Sequence, residues 1–164
     1  MFVPGPLNDR IWHLGFNRID TLNEQLVRGR EDLFFGWEFE AAAKKLPAEV
    51  IAYYVGLLSD PDTLRGSFGW YRALDTTIAQ DQQRKGRRLT IPMLAIGGAA
   101  SFGDKVAAAL GAVADDVQGV VLPATGHFVA EEFPEELLTA LTDFLAPYRS
   151  RPAAVPPPRS QATG

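Results

Sequence analysis

Two histidines, His13 and His127, are the side chains in this sequence best suited to move a proton near neutral pH. His127 follows Gly126 in PATGHFVAEEFPEEL, just past the apolar run VQGVVLP. A histidine on a short turn at the end of a strand suits a general base, because loops at strand ends are where ligands bind. The competing reading is a histidine that only orders the turn. A base needs a nucleophile, and none of Ser59, Ser67, Ser101, Ser150 and Ser160 lies in a G-x-S-x-G turn, nor does an aspartate fill such a frame. Ser101, in GGAASFG, falls near the right edge but lacks that strand-to-helix geometry. There are no cysteines, which removes disulfides, thiolate metal sites and a cysteine nucleophile together. The two histidines have no carboxylate or histidine at ligand spacing around them, so no metal and no cofactor is expected.

The elements that must position these residues fall into two textures. Residues 1–17 are broken by prolines and glycines and read as a loop holding the cluster WHLGF. Residues 18–88 read as a helical module. EDLFFGWEFEAAAKKL places Leu33, Phe34, Trp37 and Ala41 at helical spacing, and a second helix after Pro47 carries Val50, Tyr53, Tyr54 and Leu57 on one side. In SDPDTLRGSFGWYRAL, Asp60 is placed to cap, Pro61 to open the helix, and Leu64, Phe68 and Tyr71 recur every three or four residues. DQQRKGRRLT, residues 81–90, is a polar, basic run that reads as a solvated connection.

Residues 89–147 change texture. IPMLAIGG fits a strand buried on both faces, DKVAAALGAVA a helix, VQGVVLPA a second strand and PEELLTALTDFLAPY a last helix with Leu137, Leu141, Phe144 and Leu145 on one stripe. Strand, helix, strand, helix with short joins implies an α/β arrangement with a parallel pair. The carboxylates of EEFPEE suit the start of the last helix, where they complement its dipole. Residues 148–164 are proline-rich and without apolar period, and disorder is expected there.

Bulk properties exclude several classes. With 164 residues, 46% hydrophobic and 22% charged, the chain supports one core. A net charge of -4 gives no basic surface for nucleic acid. MFVPGPLNDR has neither a basic nor an apolar leader region, and no apolar run approaches the roughly 20 residues a membrane helix requires. A cytoplasmic protein without membrane contact is expected.

The order of parts WHLGFN, LVRGRE, FFGWEF, YYVGLLSDPDTLRGSFGWYRA, IPMLAIGGAASFG, VVLPATGHFVAEEFPEEL and FL, from about residue 4 to 147, resembles the C-terminal half of an α/β-hydrolase of the epoxide hydrolase and haloalkane or haloacetate dehalogenase group. GHFVAEEFPEEL with the following FL, and WYRA, carry the resemblance together. It implies a partial α/β-hydrolase fold in which residues 18–88 form the cap over the site and the two strands are the seventh and eighth of the core. His127 then matches the histidine that activates water to hydrolyse an alkyl-enzyme ester. Tyr71 matches the cap tyrosine that hydrogen-bonds an epoxide oxygen. A second tyrosine is expected in a W-Y-x-x-F stretch, and in WHLGF that position is His13. A His and Tyr pair is closer to the halide pocket of haloacetate dehalogenases, which place a Trp where this chain has Leu14. GRE, FFGW and AIGGAASFG lean towards the epoxide hydrolase branch.

Two further departures matter. The triad acid that some members carry after strand seven falls on Ala100, and Asp104 nearby is the candidate acid, although it also suits a helix-start charge. Strands one to six and the nucleophile elbow have no counterpart in these 164 residues. The expectation is therefore an N-terminally incomplete, epoxide-hydrolase-like protein acting on a small apolar organic substrate, with Trp12, Phe16, Phe35, Trp37 and Trp70 lining the pocket. The alternatives are a haloacetate or haloalkane dehalogenase-like hydrolase, a free-standing hydrolase using Ser101 with His127, and a non-catalytic remnant that binds a ligand or partner. A missing N-terminal half, or self-association through the unpaired sheet edge, is the expected protein partner.

Overall fold

A computed structural model describes residues 5–84 and 86–149; residues 1–4, Lys85 and 150–164, most of the proline-rich tail, lie outside them. The segment read as an entry loop is instead a helix, α1 (Pro6–Phe16). Its punctuation marks a helix start: Gly5 takes φ 70°, Pro6 fills the first turn and Asp9 sits where a negative charge favours the dipole. There follow α2 (Leu22–Val27), α3 (Glu31–Ala42), α4 (Ala48–Leu58), α5 (Pro61–Arg72) and α6 (Leu74–Arg84). Helix α5 starts as its sequence dictates, with the Asp60 carboxylate accepting from the backbone N–H of Asp62 at 3.1 Å and Thr63 at 2.9 Å.

The core of this helical module is aromatic. Val27, Phe35, Leu64 and Phe68 are buried, and Phe16, Phe34, Phe39, Val55 and Leu58 pack against them. Leu64 and Phe68 are each 1% exposed, as their spacing on α5 predicts. Two helix faces differ from expectation. On α3, Leu33 and Trp37 are exposed, and Phe35 and Phe39 turn inward with Phe34. On α4, Tyr53 and Leu57 are exposed, and Ile51, Val55 and Leu58 form the covered stripe. On α3 apolar and acidic residues are spread round the helix and α4 is apolar nearly all round, so periodicity alone does not select the face; packing of α4 between α3 and α5 does. Below this core Arg72 pairs with the buried Glu24 carboxylate at 2.9 Å.

Strands β1 (Met93–Gly98) and β2 (Val117–Leu122) pair in parallel, from Met93 opposite Val117 to Gly98 opposite Leu122. Helix α7 (Lys105–Gly111) connects them, and α8 (Val129–Glu132) and α9 (Pro134–Leu145) follow. The central residues Ala95, Gly97 and Gly98 of β1 are buried, but in β2 only Leu122 is, and Gln118, Gly119 and Val121 are open. Burial on both faces is thus met in part of β1 only, because the sheet has two strands among the described residues. On α9, Leu137 and Phe144 are half-buried while Leu141 and Leu145 are exposed. The basic connection is more than a solvated run. Residues 81–84 complete α6, and the Arg88 guanidinium donates to the carbonyls of Ala112 at 3.0 Å, Gly111 at 3.2 Å and Ala114, closing the C-terminus of α7, and pairs with Asp115.

Candidate active site

The loops leaving β1 and β2 lie against each other at the carboxyl end of the strands. A Cβ at Gly98 would stand 2.0 Å from the Gly126 carbonyl oxygen and 2.5 Å from that of Thr125, so only glycine permits this approach. The Ala99 N–H donates to Leu122 O at 3.0 Å, and the Ala100 N–H to Thr125 O at 2.9 Å. Thr125 is buried, and its hydroxyl donates to Pro123 O at 3.0 Å. The next residue but one, His127, is exposed. Its ring centroid lies 5.2 Å from that of Phe128 and 6.2 Å from that of Phe102, and its backbone N–H donates to Ala42 O, at the end of α3, at 3.0 Å. A histidine held by its backbone with an open imidazole is able to take a proton from water or a ligand.

Glu132 holds this loop. Its Oε2 accepts from the backbone N–H of Lys44 at 2.8 Å, Gly126 at 2.9 Å and Lys45 at 3.2 Å, and its Oε1 from Phe128 at 3.0 Å. Burial pushes the carboxyl pKa up, but the N–H groups of Gly126, Lys44, Phe128 and Lys45 outweigh it and keep the group below the usual carboxylate range. The expectation that all of EEFPEE serves the last helix dipole is corrected here. Glu135 and Glu136 do lie in the first turn of α9, whereas Glu132 binds the α3–α4 link and Glu131 accepts from the Tyr54 hydroxyl. Sequence gave no sign of Glu132's role, because the Lys44 and Lys45 amides it binds are 88 and 87 residues away.

His13 and Tyr71 come together. Their ring centroids are 6.0 Å apart, edge to face, joining α1 to α5. Burial raises the Tyr71 hydroxyl pKa; the Asn17 side chain beside it pulls the other way and Glu38 adds to the rise, so the phenol stays a donor at neutral pH. Glu38 itself was not singled out by its position in FFGWEFE. One of its carboxyl oxygens is buried without a hydrogen-bond partner among the described residues, and desolvation lifts its pKa from 4.5 to about 7. Glu38 and Ala42 are one turn apart on α3, roughly 6 Å along the axis. The helix thus reaches both the Tyr71 neighbourhood and the His127 loop.

The remaining expected residues divide. Trp12 lies within 6 Å, centroid to centroid, of Phe16, Phe34 and Trp37, a connected aromatic wall. Phe35 belongs to the core, stacked on Phe68 at 6.0 Å, not to a pocket lining. Trp70 is 80% exposed, the least enclosed of the five. Asp104 stands exposed at the start of α7, and its side chain makes no capping hydrogen bond. Ser101 is bonded through its N–H to Gly98 O, and its hydroxyl has no hydrogen bond to His127 among the described residues. No group of three potential metal ligands occurs there either. Among the described residues, no helix is long and apolar enough to cross a membrane.

No family model matches the sequence. A soluble epoxide hydrolase of Corynebacterium sp. (strain C12) is 36% identical over 104 residues, 62% of this chain and 35% of that protein. The solved epoxide hydrolase CorEH superposes with a TM-score of 0.79 at 27% identity, covering 91% of this chain and 54% of its own. The Cif epoxide hydrolase of Acinetobacter nosocomialis gives 0.76 at 29% identity, covering 82% and 44%. The chain therefore spans about a third of the curated relative and about half of the solved ones. It has a partial α/β-hydrolase fold, and the resemblance to the epoxide hydrolase group holds in sequence and in structure.

Proposed function

We propose that this chain of α/β-hydrolase fold is the base-bearing and cap-bearing part of an epoxide-hydrolase-like enzyme. The observation that carries the reading is the His13–Tyr71 pair, two donors edge to face at 6.0 Å, in a module tied through Ala42 to the loop of His127. In this account an aspartate outside these 164 residues attacks an epoxide carbon and the C–O bond opens. Tyr71 gives its proton to the opening oxygen while His13 hydrogen-bonds it, so that oxygen stays on the substrate as a hydroxyl of the alkyl-enzyme ester, and the tyrosinate is reprotonated through solvent by the proton that His127 later takes from water. His127 then takes a proton from water, the resulting hydroxide attacks the ester carbonyl, and the aspartate is regenerated with release of a diol. The Trp12, Phe16 and Trp37 wall gives an apolar surface for the substrate's carbon skeleton.

The same pair supports a second reading, a haloacetate dehalogenase-like hydrolase, because an N–H and an O–H donor also suit a departing halide. Leu14 is an apolar residue where that branch supplies a further donor. The test is an assay of styrene oxide and fluoroacetate with the chain alone and with the chain joined to whatever the same frame encodes upstream of Met1. Turnover of the epoxide by the joined protein, lost at least 100-fold in Tyr71→Phe combined with His13→Ala, supports the first reading. Preference for fluoroacetate supports the second. An upstream frame without a G-x-D-x-G elbow, or a joined protein inert towards both, leaves the non-catalytic remnant as the better account.

A further inference from the structure

We infer that Glu132 is the positioning residue for His127, a clamp that fixes the histidine loop to the helical module as well as to the sheet. Loop 123–128 is attached to the core through Gly98, Ala99 and Ala100, all on the strand side of the histidine. On the other side the loop is tied to α3 and the link after it. The His127 N–H binds Ala42 O, and one carboxylate gathers the N–H groups of Lys44, Lys45, Gly126 and Phe128, two from the link and two that flank His127 on either side. Phe39 packs against Phe128 with ring centroids 5.4 Å apart, and the Lys45 ammonium sits 4.8 Å above the Phe133 ring, which closes the contact on both flanks.

The chemistry of the clamp requires a carboxylate. Four N–H donors converge on two oxygens, and an ionised carboxylate accepts at both, whereas an amide offers one acceptor and turns a donor towards the other amides. Dipoles of four backbone N–H groups around one negative charge also explain why the group stays ionised despite its burial. Because the residues on both sides of His127 are held by the same carboxylate that holds Lys44 and Lys45, a displacement of the α3–α4 link displaces the imidazole. The site's base is in this way set by the module that carries His13 and Tyr71. This inference rests on reading His127 as the base, but the clamp itself is measurable without any activity.

The test is amide hydrogen exchange with NMR of the two imidazoles. In the wild-type chain the N–H groups of Lys44, Lys45, Gly126 and Phe128 exchange slowly and at matching rates, as one unit. Glu132→Gln speeds exchange at Lys44 and Lys45 about tenfold or more and shifts the His127 ring resonances, while core amides of α5 keep their rates. Gly126→Ala wedges the same junction with the carboxylate intact, since its Cβ would stand 2.6 Å from Ala42 O and 2.9 Å from Lys44 N, and it gives the same pattern. Glu131→Gln, one residue away, leaves those amides and His127 unchanged. Widely different wild-type rates among the four amides, or an unmoved His127 signal in Glu132→Gln, overturns the inference. A clamp that behaves as stated in a protein inert towards epoxides overturns the functional reading and not the clamp.

Discussion

In the helical module Leu64 and Phe68 of α5 are closed off from water although Trp70 on the same helix is 80% exposed, and in the β-α-β-α segment Val121 on β2 is 44% exposed and Leu138 on α9 is 64% exposed. The module has a buried aromatic centre of its own, to which α1 to α5 contribute, although Leu33, Trp37, Tyr53 and Trp70 stay open on its outside. The segment offers two strands, and two parallel strands bury little by themselves. The residues proposed for chemistry sit on both sides of this divide: His13 and Tyr71 on the side with a buried aromatic centre, His127 on the side with a two-stranded sheet. Glu132 and the Ala42 carbonyl are the joints between them. The site's geometry is therefore as firm as those joints, not as firm as either core.

The largest break in that comparison comes from Phe68→Ala. It empties the centre of the helical module and should cost about 3–5 kcal/mol, read as loss of helical circular dichroism at lower denaturant. Gly98→Ala strikes the segment instead. Its Cβ meets the carbonyls of Thr125 and Gly126, so roughly 1–3 kcal/mol is lost and the His127 ring resonance moves, with the α5 amides unaffected.

Glu38→Gln sharpens the contrast through pH. With a folded pKa of about 7 against an ordinary 4.5, the folded chain holds a proton that the unfolded chain releases. Wild-type stability therefore falls as pH rises from about 4.5 to 7 and is level outside that window. The glutamine variant, which does not titrate, should be more stable than wild type by on the order of 1 kcal/mol at pH 8 and equal to it at pH 4, measured by denaturant melts at both pH values. The smallest effect belongs to Leu138→Lys. It alters an open side chain of α9 and should leave the denaturation midpoint within about 0.5 kcal/mol of wild type while reducing self-association in sedimentation.

What the sequence disclosed follows the range of each interaction. The N-cap of α5 is written in consecutive residues, Asp60 then Pro61, and it forms as read. Leu64 and Phe68 lie one turn apart with polar residues between, so their face was legible too. Helix α4 was legible as a helix but not in orientation, because AEVIAYYVGLL is apolar on every side and its neighbours decide which side closes. Helix α1 was hidden behind the Gly5–Pro6 pair, which marks loops and helix starts alike. Motif resemblance singled out His127 and paired His13 with Tyr71, whose rings do lie side by side. Glu132 and Glu38 were not, since one acts through amides far along the chain and the other through desolvation, and neither leaves a spacing to read.

The central claim, that His127 is the base of an ester-hydrolysing step, is tested most directly by trapping the ester. In the proposed joined protein, His127→Gln incubated with an epoxide should gain the mass of one epoxide on the nucleophile-bearing part, stable for minutes, while wild type shows only diol. A His127→Gln protein that turns the epoxide over at the wild-type rate, with no adduct by mass spectrometry, contradicts the account.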